Sequence, residues 1–394
     1  MFTPTMLQRL RQDTPGANNV LHFNNAGAAL PPRPVVEAMT AHLELEAHLG
    51  GYEAAAAKRE DIQAFYTSLA TLLNTQSKNI AYTPSASFSF NAALSAIPFE
   101  RGDVIVTTLN DYVSNQIAFL QLQQRFGIRI QHAADQHSGG VDLEDMAKQI
   151  QRHRPKLVAV THIPTNSGLI QEVEAVGKIC REQGIWYLVD GCQSAGQVPV
   201  DVEAMGCDFY TASMRKFLRG PRGAGFLYVS DRVLDAGLEP LFMDLHSANW
   251  PSNHTYKAKP TAQRFELWER SYVNLLGSAA AIQYALDIGV ETLSARLCHL
   301  AVKAREQFSA LPGIRVLDKG DKLGGIVTLA IAGWQPTALH QALQAQNINT
   351  SIAYHESARF DFEEKGVEWA LRVSPHYYNT GEEIEQVVLA LKSL

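Results

Sequence analysis

The chain has 394 residues, a formal net charge of −6 and a sequence pI of about 6.1, which argues against a general nucleic-acid binder. Hydrophobic residues make up 46% of the chain and charged residues 19%, a balance typical of an ordinary globular protein, and the length predicts two domains. The N-terminus lacks the apolar core of a signal peptide, and no apolar run reaches the roughly 18 residues of a membrane helix, so we expect a cytoplasmic enzyme. The four cysteines show no zinc-like spacing, so we expect no metal site.

The middle of the chain repeats one pattern of strands and helices. DVIVTT at 103–108 predicts a strand, 112–125 a helix, and GIRIQ at 127–131 a second strand. The pattern returns as a strand at 157–162 (LVAVTH), a helix at 172–184 and a strand at 185–190 (IWYLVD). Buried strands joined by helices predict a parallel sheet that is covered by helices on both faces.

The pattern changes after about residue 290. GIRVLD, GGIVTLAIAG, INTSIAY and WALRVS predict shorter strands, and helices follow residues 335 and 380. We therefore predict a large domain over 19–289, whose last helix at 273–289 leads to a smaller α+β domain built from 1–18 and 290–394.

Polar residues suited to one cofactor follow the strand at 185–190. Asp190 ends that strand, Gln193 lies three residues later, and CDFYTASMRK then brings Ser213, Arg215 and Lys216. Open α/β sheets present ligand-binding groups at such strand ends. Pyridoxal phosphate needs a lysine to bond covalently, a carboxylate to keep its ring nitrogen protonated, and hydroxyl or arginine groups for its phosphate.

Three separated stretches resemble one family in the right order. The segment 190–229, DGCQSAG through RKFLRGPRGAGFLYV, resembles the class V aminotransferase fold of pyridoxal-phosphate enzymes, which includes cysteine desulfurases, selenocysteine lyases, isopenicillin-N epimerases and C–S lyases. FNNAGAALPPRPVVEAM resembles the family's N-terminal segment, and RVSPHYYNTGEEIEQVV its C-terminal arginine motif. The resemblance implies the α/β fold type I of pyridoxal-phosphate-dependent transferases, with a mostly parallel seven-stranded sheet, a small α+β C-terminal domain, and a homodimer whose active site lies at the interface.

The resemblance also implies roles for individual residues. Lys216 would bond the cofactor and later carry protons, and Asp190 would pair with the ring nitrogen. Gln193 would donate a hydrogen bond to the ring oxygen. Ser213 would hold the phosphate, and Arg215 stands beside it where the family usually has histidine.

Further contacts follow from the other matching stretches. TPSASFSFNAAL resembles the family's phosphate-binding turn, where Ser87 keeps a hydroxyl and Ala86 replaces a polar neighbour. Tyr112 falls where desulfurases place the histidine that stacks on the cofactor, and Asn166 matches an asparagine near the ring oxygen. The residues expected to bind the substrate carboxylate are Arg372, as a two-pronged clamp, and nearby Asn25.

Two departures from desulfurases shape the expected reaction. The stretch 349–374, where desulfurases carry the cysteine that takes the sulfur, contains no cysteine. In RFELWERS, Glu269 replaces a threonine that usually reaches the other subunit's phosphate, so it must turn away or pair with a cation such as Arg270. The RFELWE form, together with RKFLRGPRGAGFLY and SPHYYNT, looks most like the branch that holds isopenicillin-N epimerases and the C–S lyases of ergothioneine synthesis, which act on hercynylcysteine sulfoxide.

We therefore expect β-elimination from an S-substituted cysteine or a cysteine sulfoxide, giving pyruvate and ammonia. An aminotransferase would use the same lysine and arginine with a keto-acid acceptor. An epimerase would exchange the Cα proton without elimination. A cofactor-binding relative without turnover is a fourth reading, against which the complete set of lysine, aspartate and carboxylate clamp argues.

Overall fold

The computed structural model describes residues 2–394. The α-helices are α1 (Pro4–Gln12), α2 (Arg33–Leu49), α3 (Gly51–Ala57), α4 (Arg59–Leu73), α5 (Ala86–Ala96), α6 (Val113–Phe126), α7 (Leu143–His153), α8 (Val173–Glu182), α9 (Val202–Met205), α10 (Asp231–Asp235), α11 (Tyr272–Ile288), α12 (Val290–Ser309), α13 (Pro336–Gln344), α14 (Arg359–Lys365) and α15 (Gly381–Ser393). The β-strands are β1 (Leu21–His22), β2 (Ile80–Thr83), β3 (Val104–Thr108), β4 (Arg129–Ala133), β5 (Leu157–Thr161), β6 (Trp186–Asp190), β7 (Phe209–Ser213), β8 (Gly225–Val229), β9 (Ala248–Ser252), β10 (Thr255–Ala258), β11 (Ile314–Val316), β12 (Val327–Ile331), β13 (Ile348–Asn349), β14 (Ser351–Tyr354) and β15 (Trp369–Val373). Short 3-10 turns lie at Pro15–Asn18, Ser77–Asn79, Ala262–Phe265 and His355–Ser357.

The large domain is organised by a seven-stranded sheet in the order β2-β8-β7-β6-β5-β3-β4. The five strands from β7 to β4 pair in parallel, whereas β8 is antiparallel to both of its neighbours. Strands β2, β3, β5, β7 and β8 are buried along their whole length, because an apolar core cluster lies on each face of the sheet. This confirms the predicted mostly parallel sheet with both faces covered.

The smaller C-terminal domain is built on the four-stranded sheet β11-β12-β15-β14, in which every pairing is antiparallel. Its core cluster combines this sheet with residues of α12, α13 and α15. Helices α11 and α12 meet at Gly289, where a positive φ of 89° suits glycine and the axes bend by 83°. The seven-stranded sheet lies before this bend and the four-stranded sheet after it, and a domain boundary between 289 and 290 stays a prediction.

The N-terminal segment is divided differently from the prediction. Leu10 and Ala17, which we assigned to the small domain, pack into the main core cluster of the large domain. Strand β1, which we assigned to the large domain, pairs in parallel with β13, and Phe23 belongs to the small-domain core. Short apolar stretches carry too little periodicity to tell which core they join.

No single helix within residues 2–394 has the length and apolar character needed to cross a membrane. The bent pair α11 and α12 meets those two criteria only when both helices are counted together.

The carboxyl ends of the parallel strands meet along one edge of the large sheet. Thr161 at the end of β5 lies opposite Asp190 at the end of β6, and Asp190 in turn lies opposite Thr211 in β7. Helix α6 begins just after β3 at the same edge. Ligands of open α/β sheets bind in this position, outside the carboxyl ends of the strands.

Candidate active site

Asp190 lies at the centre of this edge and is only 4% exposed. Its Oδ1 accepts a hydrogen bond of 2.9 Å from the backbone N–H of Cys192, and its Oδ2 accepts one of 2.9 Å from Asn115 Nδ2. Both bonds stabilise the ionised carboxylate, because each places an N–H donor against an oxygen. A buried, oriented carboxylate at this position suits pairing with a protonated ring nitrogen.

Lys216 lies in the turn between β7 and β8 and is 7% exposed. Burial lowers the pKa of its ammonium group, and Cys192 and Asp190 oppose that shift. The turn is held by its own backbone: Arg219 N–H donates to the Lys216 carbonyl at 2.9 Å, and Gly220 N–H donates to the Met214 carbonyl at 2.8 Å. A buried lysine on a fixed turn beside Asp190 suits covalent bonding to a cofactor aldehyde.

Ser213 is the last residue of β7, and Arg215 directly precedes Lys216 in the turn that follows. Across the sheet, Ser213 lies opposite Gly225 in β8. A Cβ on Gly225 would stand 2.7 Å from the Ser85 carbonyl carbon and 2.8 Å from the Ala86 nitrogen. The glycine therefore lets the N-terminus of α5 approach Ser213, which brings a hydroxyl and backbone N–H groups together for a phosphate.

The predicted turn at the start of α5 differs in detail from the expectation. Ser85 is the N-cap residue, and its Oγ accepts the Phe88 N–H at 3.1 Å. Ala86 is buried and Ser87 is exposed on the first turn. Their predicted contacts with a phosphate stay predictions.

Tyr112 and Gln193 lie at the same edge of the sheet as Asp190, Tyr112 at the start of α6 and Gln193 in the loop after β6. Tyr112 is the N-cap residue of α6, and its N–H donates to Asp111 Oδ1 at 2.7 Å. Gln193 Nε2 donates to the Ala26 carbonyl at 3.0 Å and to Thr165 Oγ1 at 3.1 Å. The predicted hydrogen bond from Gln193 to the ring oxygen would have to replace one of these bonds, and it stays a prediction.

Arg372 in β15 projects from the small domain toward the same place. Its Nη1 donates to Thr165 Oγ1 at 2.6 Å and to the Thr165 carbonyl at 3.1 Å, and its Nη2 donates to Asn24 Oδ1 at 3.4 Å. No carboxylate of residues 2–394 forms an ion pair with it. Burial, together with the nearby charge of Arg215, lowers its pKa to about 10. A buried guanidinium without a counter-charge suits a substrate carboxylate.

Asn25 has partners inside the protein. Its Nδ2 donates to the carbonyls of His22 at 3.2 Å and Ser374 at 2.8 Å, and its Oδ1 accepts from Tyr378 Oη at 2.6 Å. The asparagine that contacts Arg372 is the preceding residue, Asn24. A contact between Asn25 and substrate stays a prediction, whereas its observed bonds hold the N-terminal segment against β15.

Asn166 is tied to the small domain. Its Nδ2 donates to Asp361 Oδ2 at 2.5 Å, and Asp361 forms a buried ion pair of 2.7 Å with Lys365. The predicted contact between Asn166 and a ring oxygen therefore competes with the hydrogen bond to Asp361, which the sequence did not indicate. Asp361 lies on α14, in the stretch where desulfurases carry their cysteine.

The structure shows the contacts of Arg219 and the exposure of Glu269. Arg219 donates to the Leu30 carbonyl and to two hydroxyl groups inside the protein. Glu269 is exposed, and Arg270 pairs with Glu266 at 2.6 Å rather than with Glu269. Glu269 thus turns toward solvent, one of the two outcomes expected for an acid at that position.

Sequence reasoning missed several residues of the site, namely Asn24, Asp111, Asn115, Thr165 and Asp361. Asp111 and Asn115 lie four residues apart where a predicted helix begins, a spacing that places them on one helix face. That signal is weak by itself. The contacts of Thr165 and Asp361 join residues about two hundred positions apart and have no local signature.

The residues present fit pyridoxal phosphate. The site holds a buried lysine, a buried carboxylate with N–H donors on both oxygens, a hydroxyl beside a helix N-terminus, and a buried guanidinium without a counter-charge. Each feature matches one functional group of that cofactor or of an amino-acid substrate.

Comparisons with known proteins agree with this fit. The family model for aminotransferase class-V matches residues 21–387. A probable cysteine desulfurase of Pyrococcus abyssi is 29% identical over 394 residues, covering 98% of this chain and 96% of that protein. The structure of a cysteine desulfurase from Thermococcus onnurineus NA1 has a TM-score of 0.89 and 28% identity, covering 98% of this chain and 97% of that one.

Two more distant solved structures show the same fold. The cysteine desulfurase CsdA of Escherichia coli has a TM-score of 0.90 at 22% identity, covering 98% of each chain. A variant of C-DES with glycine covalently linked to its PLP cofactor has a TM-score of 0.87 at 22% identity, covering 98% of this chain and 99% of that one. The fold type I architecture predicted from the sequence is thereby confirmed.

Class V aminotransferases use pyridoxal phosphate, so the cofactor predicted from the sequence is confirmed as well. Because the family model covers most of its length, the chain belongs to the class V aminotransferase family of pyridoxal-phosphate-dependent enzymes.

Proposed function

We propose that this enzyme cleaves the Cβ–S bond of an S-substituted cysteine or a cysteine sulfoxide by β-elimination, giving pyruvate and ammonia. The observation that carries the proposal is the segment before Arg372. Where the resemblance to desulfurases calls for a cysteine, the chain has β14, a 3-10 turn and α14, with no cysteine among residues 349–374. A sulfur atom leaving the substrate has no thiolate there to accept it, so it would leave with its organic group.

The four cysteines of the chain support this reasoning. Cys180 and Cys207 are buried, and Cys298 lies on α12 in the small domain. Cys192 borders the site, with its Sγ 3.9 Å from Ser213 Oγ. Burial, together with the negative charge of Asp190, raises the pKa of the Cys192 thiol to about 11. A thiol that stays protonated at neutral pH is a poor nucleophile for sulfur.

The roles of the chain's own residues follow from their positions. When bound, pyridoxal phosphate supplies a ring that accepts electrons from the substrate Cα. Lys216, whose pKa is lowered by burial, would take the Cα proton. Asp190 would hold a proton on the ring nitrogen, and Arg372 would bind the substrate carboxylate through both Nη atoms. Thr165 and Asn24 would keep the Arg372 guanidinium in that orientation.

The bond changes balance without an oxidant or reductant. The Cα–H bond breaks and its proton passes to Lys216, a Cα=Cβ double bond forms, and the Cβ–S bond breaks. The sulfur group leaves with its electron pair and takes up one proton, as a thiol from a thioether or as a sulfenic acid from a sulfoxide. Water then hydrolyses the resulting enamino acid to pyruvate and ammonia.

Cysteine desulfurase activity is the second candidate, because the Pyrococcus and Thermococcus relatives carry that name. The solved complex of the cystine C–S lyase C-DES with its reaction product cysteine persulfide has a TM-score of 0.87 at 22% identity, covering 97% of this chain and 99% of that one. Both kinds of protein break a C–S bond, so cysteine and cystine belong in the set of test substrates. The resemblance to ergothioneine-pathway lyases stays a prediction, tested by hercynylcysteine sulfoxide.

The experiment starts from the absorbance of the purified protein and of Lys216→Ala, each supplied with pyridoxal phosphate. We expect a band near about 420 nm in the wild type that is absent from the variant. The wild-type protein is then incubated with cysteine, cystine, S-methylcysteine and its sulfoxide, and hercynylcysteine sulfoxide. Pyruvate and ammonia in equal amounts support the proposal.

Other products would replace the proposal by a defined alternative. Alanine with enzyme-bound or released sulfur would indicate a desulfurase. Turnover that requires a keto acid would indicate an aminotransferase. Deuterium uptake at Cα without pyruvate would indicate an epimerase.

We also propose that the active enzyme is a homodimer. Leu241, Phe242 and Leu245 are 67%, 84% and 70% exposed in the single chain, and Trp250 is 78% exposed on the neighbouring hairpin of β9 and β10. Exposed apolar residues grouped in this way are typical of a surface that another chain covers. Light scattering at several protein concentrations tests this, and a monomer at all of them would contradict it.

A further inference from the structure

Two buried carboxylates, not one, lie behind the position of the predicted ring nitrogen. Asp111 is 7% exposed and Asp190 is 4% exposed. Asn115 joins them, because its Nδ2 donates to Asp111 Oδ1 at 3.0 Å and to Asp190 Oδ2 at 2.9 Å. An amide nitrogen has two hydrogens, so it can serve one carboxylate with each.

Asp111 accepts hydrogen bonds from helix α6 and strand β5. Its Oδ1 also accepts from the Tyr112 N–H at 2.7 Å and from Thr161 Oγ1 at 2.5 Å, and its Oδ2 accepts from Gln116 Nε2 at 2.9 Å. Tyr112 is the residue predicted to stack on the cofactor, and Thr161 is the β5 neighbour of Asp190 in the sheet register. One carboxylate therefore orients the N-terminus of α6, the end of β5 and, through Asn115, Asp190.

The contacts favour an ionised Asp111. Each of its two oxygens receives at least one N–H, and N–H groups donate but cannot accept. A proton on either oxygen would compete with such a donor. In the protein alone, burial raises the pKa of Asp111 and nearby Asp190 raises it further, against the hydrogen bonds from Thr161 and Asn115.

The pair of carboxylates has no cation of its own. Within residues 2–394, no lysine, arginine or histidine forms an ion pair with either Asp111 or Asp190. Other buried aspartates of the chain are compensated: Asp208 pairs with Arg232, Asp318 with Arg305 and Asp361 with Lys365. Two buried like charges without a cation are costly unless a positive group arrives with a ligand.

We propose that Asp111 is a positioning residue that holds Asn115 and Asp190 in place and adds a second negative charge that favours a protonated cofactor ring nitrogen. The inference rests on the proposed function only in that both require bound pyridoxal phosphate. It assigns to Asp111 part of the preference for a cofactor whose ring nitrogen can be protonated. Asp111 itself does not touch the reacting atoms; it acts through Asn115 and through its charge.

The test compares two cofactors in binding titrations of the apoenzyme, followed by absorbance and by quenching of tryptophan fluorescence. The first is pyridoxal phosphate, and the second is its carbocyclic analogue, in which a C–H group replaces the ring nitrogen. We expect Asp111→Asn to weaken pyridoxal phosphate binding about tenfold, since one nearby charge shifts a titration by about one pKa unit. The same substitution should leave binding of the analogue unchanged within about twofold, because the analogue carries no ring proton.

Asp208→Asn is the matched control. Asp208 is 3% exposed and also accepts N–H donors, among them Tyr187 N–H at 2.9 Å, but it lies just before β7 at the opposite edge of the sheet. It should bind both cofactors like the wild type. Asn115→Ala is a second variant for the case that Asp111→Asn does not fold. It removes the bridge between the carboxylates and should also weaken only the cofactor that has a ring nitrogen.

The outcomes separate this inference from the proposed function. Equal weakening of both cofactors by Asp111→Asn would mean that Asp111 only supports the fold, and unchanged binding of both would remove any role in the site. Either result overturns the inference while the wild type still binds pyridoxal phosphate. A wild type that binds neither compound would instead overturn the proposed function.

Discussion

Arg219 offers a quantitative test of how the site is held together. It is 1% exposed and directs three nitrogens at three different segments: Nε to the Leu30 carbonyl at 2.8 Å, Nη1 to Tyr377 Oη at 2.8 Å and Nη2 to Thr14 Oγ1 at 2.6 Å. Its guanidinium carbon also lies 4.6 Å from the ring centroid of Tyr378. One side chain on the Lys216 turn therefore joins the N-terminal segment to the C-terminal motif.

Arg219→Lys keeps the positive charge but replaces the three nitrogens of the guanidinium group with a single ammonium nitrogen. The backbone at Arg219 has a φ of 60°, but lysine bears the same Cβ, so the strain of the left-handed conformation is equal in both proteins. A single ammonium nitrogen cannot occupy the places of Nε, Nη1 and Nη2 together, so we take two of the three bonds as lost. At about 2 kcal/mol for each hydrogen bond to a charged group, the loss is about 4 kcal/mol.

The assay is thermal unfolding of the apoenzyme, followed by circular dichroism. An entropy of unfolding of about 2.1 cal/mol/K per residue gives about 0.8 kcal/mol/K for a chain of this size, so the apparent Tm should fall by about 5 °C. Arg152→Lys is the control, because Arg152 is exposed in the last turn of α7. A decrease for Arg219→Lys no larger than that of the control would refute the reasoning that three directed bonds hold these segments.

Three further predictions concern the substrate-binding arginine, the phosphate turn and the half-buried Asp135. Arg372→Lys should raise KM for an amino-acid substrate about 10- to 100-fold, because one ammonium group cannot bind a carboxylate through two parallel bonds. Gly225→Ala should weaken pyridoxal phosphate about tenfold in a fluorescence titration, since its Cβ would stand 2.7 Å from the Ser85 carbonyl carbon and push α5 away. Burial raises the pKa of Asp135 to about 6. Between about pH 4 and about pH 6 this carboxyl ionises more readily in the unfolded chain than in the folded chain, so raising the pH through this range destabilises the folded chain. Asp135→Asn should therefore have a higher Tm than the wild type at pH 7, with the difference vanishing near pH 4.

Each of these has a result that would contradict it. For the clamp, an unchanged KM would show that the substrate carboxylate binds elsewhere. Gly51→Ala is the control for the phosphate turn, because a Cβ at Gly51 meets nothing within 4 Å, and equal affinities of both variants would remove the steric argument. For the acid, a Tm difference that does not vary with pH would mean that Asp135 keeps its ordinary titration in the folded chain.

Much of the fold was predictable from local patterns. Continuous apolar stretches such as 157–162 and 185–190 indicated buried parallel strands, and the strands were found within one residue of those positions. The division of the N-terminal segment was not predictable, because Leu10 and Leu21 are both ordinary apolar residues in short elements. Which core each one joins depends on the whole chain packing around it.

The same contrast holds within the site. Asp190 and Lys216 were predicted because Asp190 ends one recognisable strand, Lys216 follows another, and their spacing and types suit one cofactor. A contact between Asn25 and substrate stays a prediction, whereas Asn24, which sequence reasoning did not single out, is the asparagine that contacts Arg372. Adjacent side chains of an extended segment point to opposite sides, and the pairing of Asn24 with Ser374 decides which one faces the site.

The sequence by itself thus determined the family, the cofactor and the order of the elements, since these depend on periodicity and on motifs whose residues are close along the chain. Only the tertiary structure revealed Asp111 behind Asp190, Thr165 beside Arg372, and Asp361 holding Asn166. Those contacts join separate strands, helices and domains, and a hydrogen bond or a charge interaction depends on distances of a few ångströms that the chain acquires only when both cores have formed.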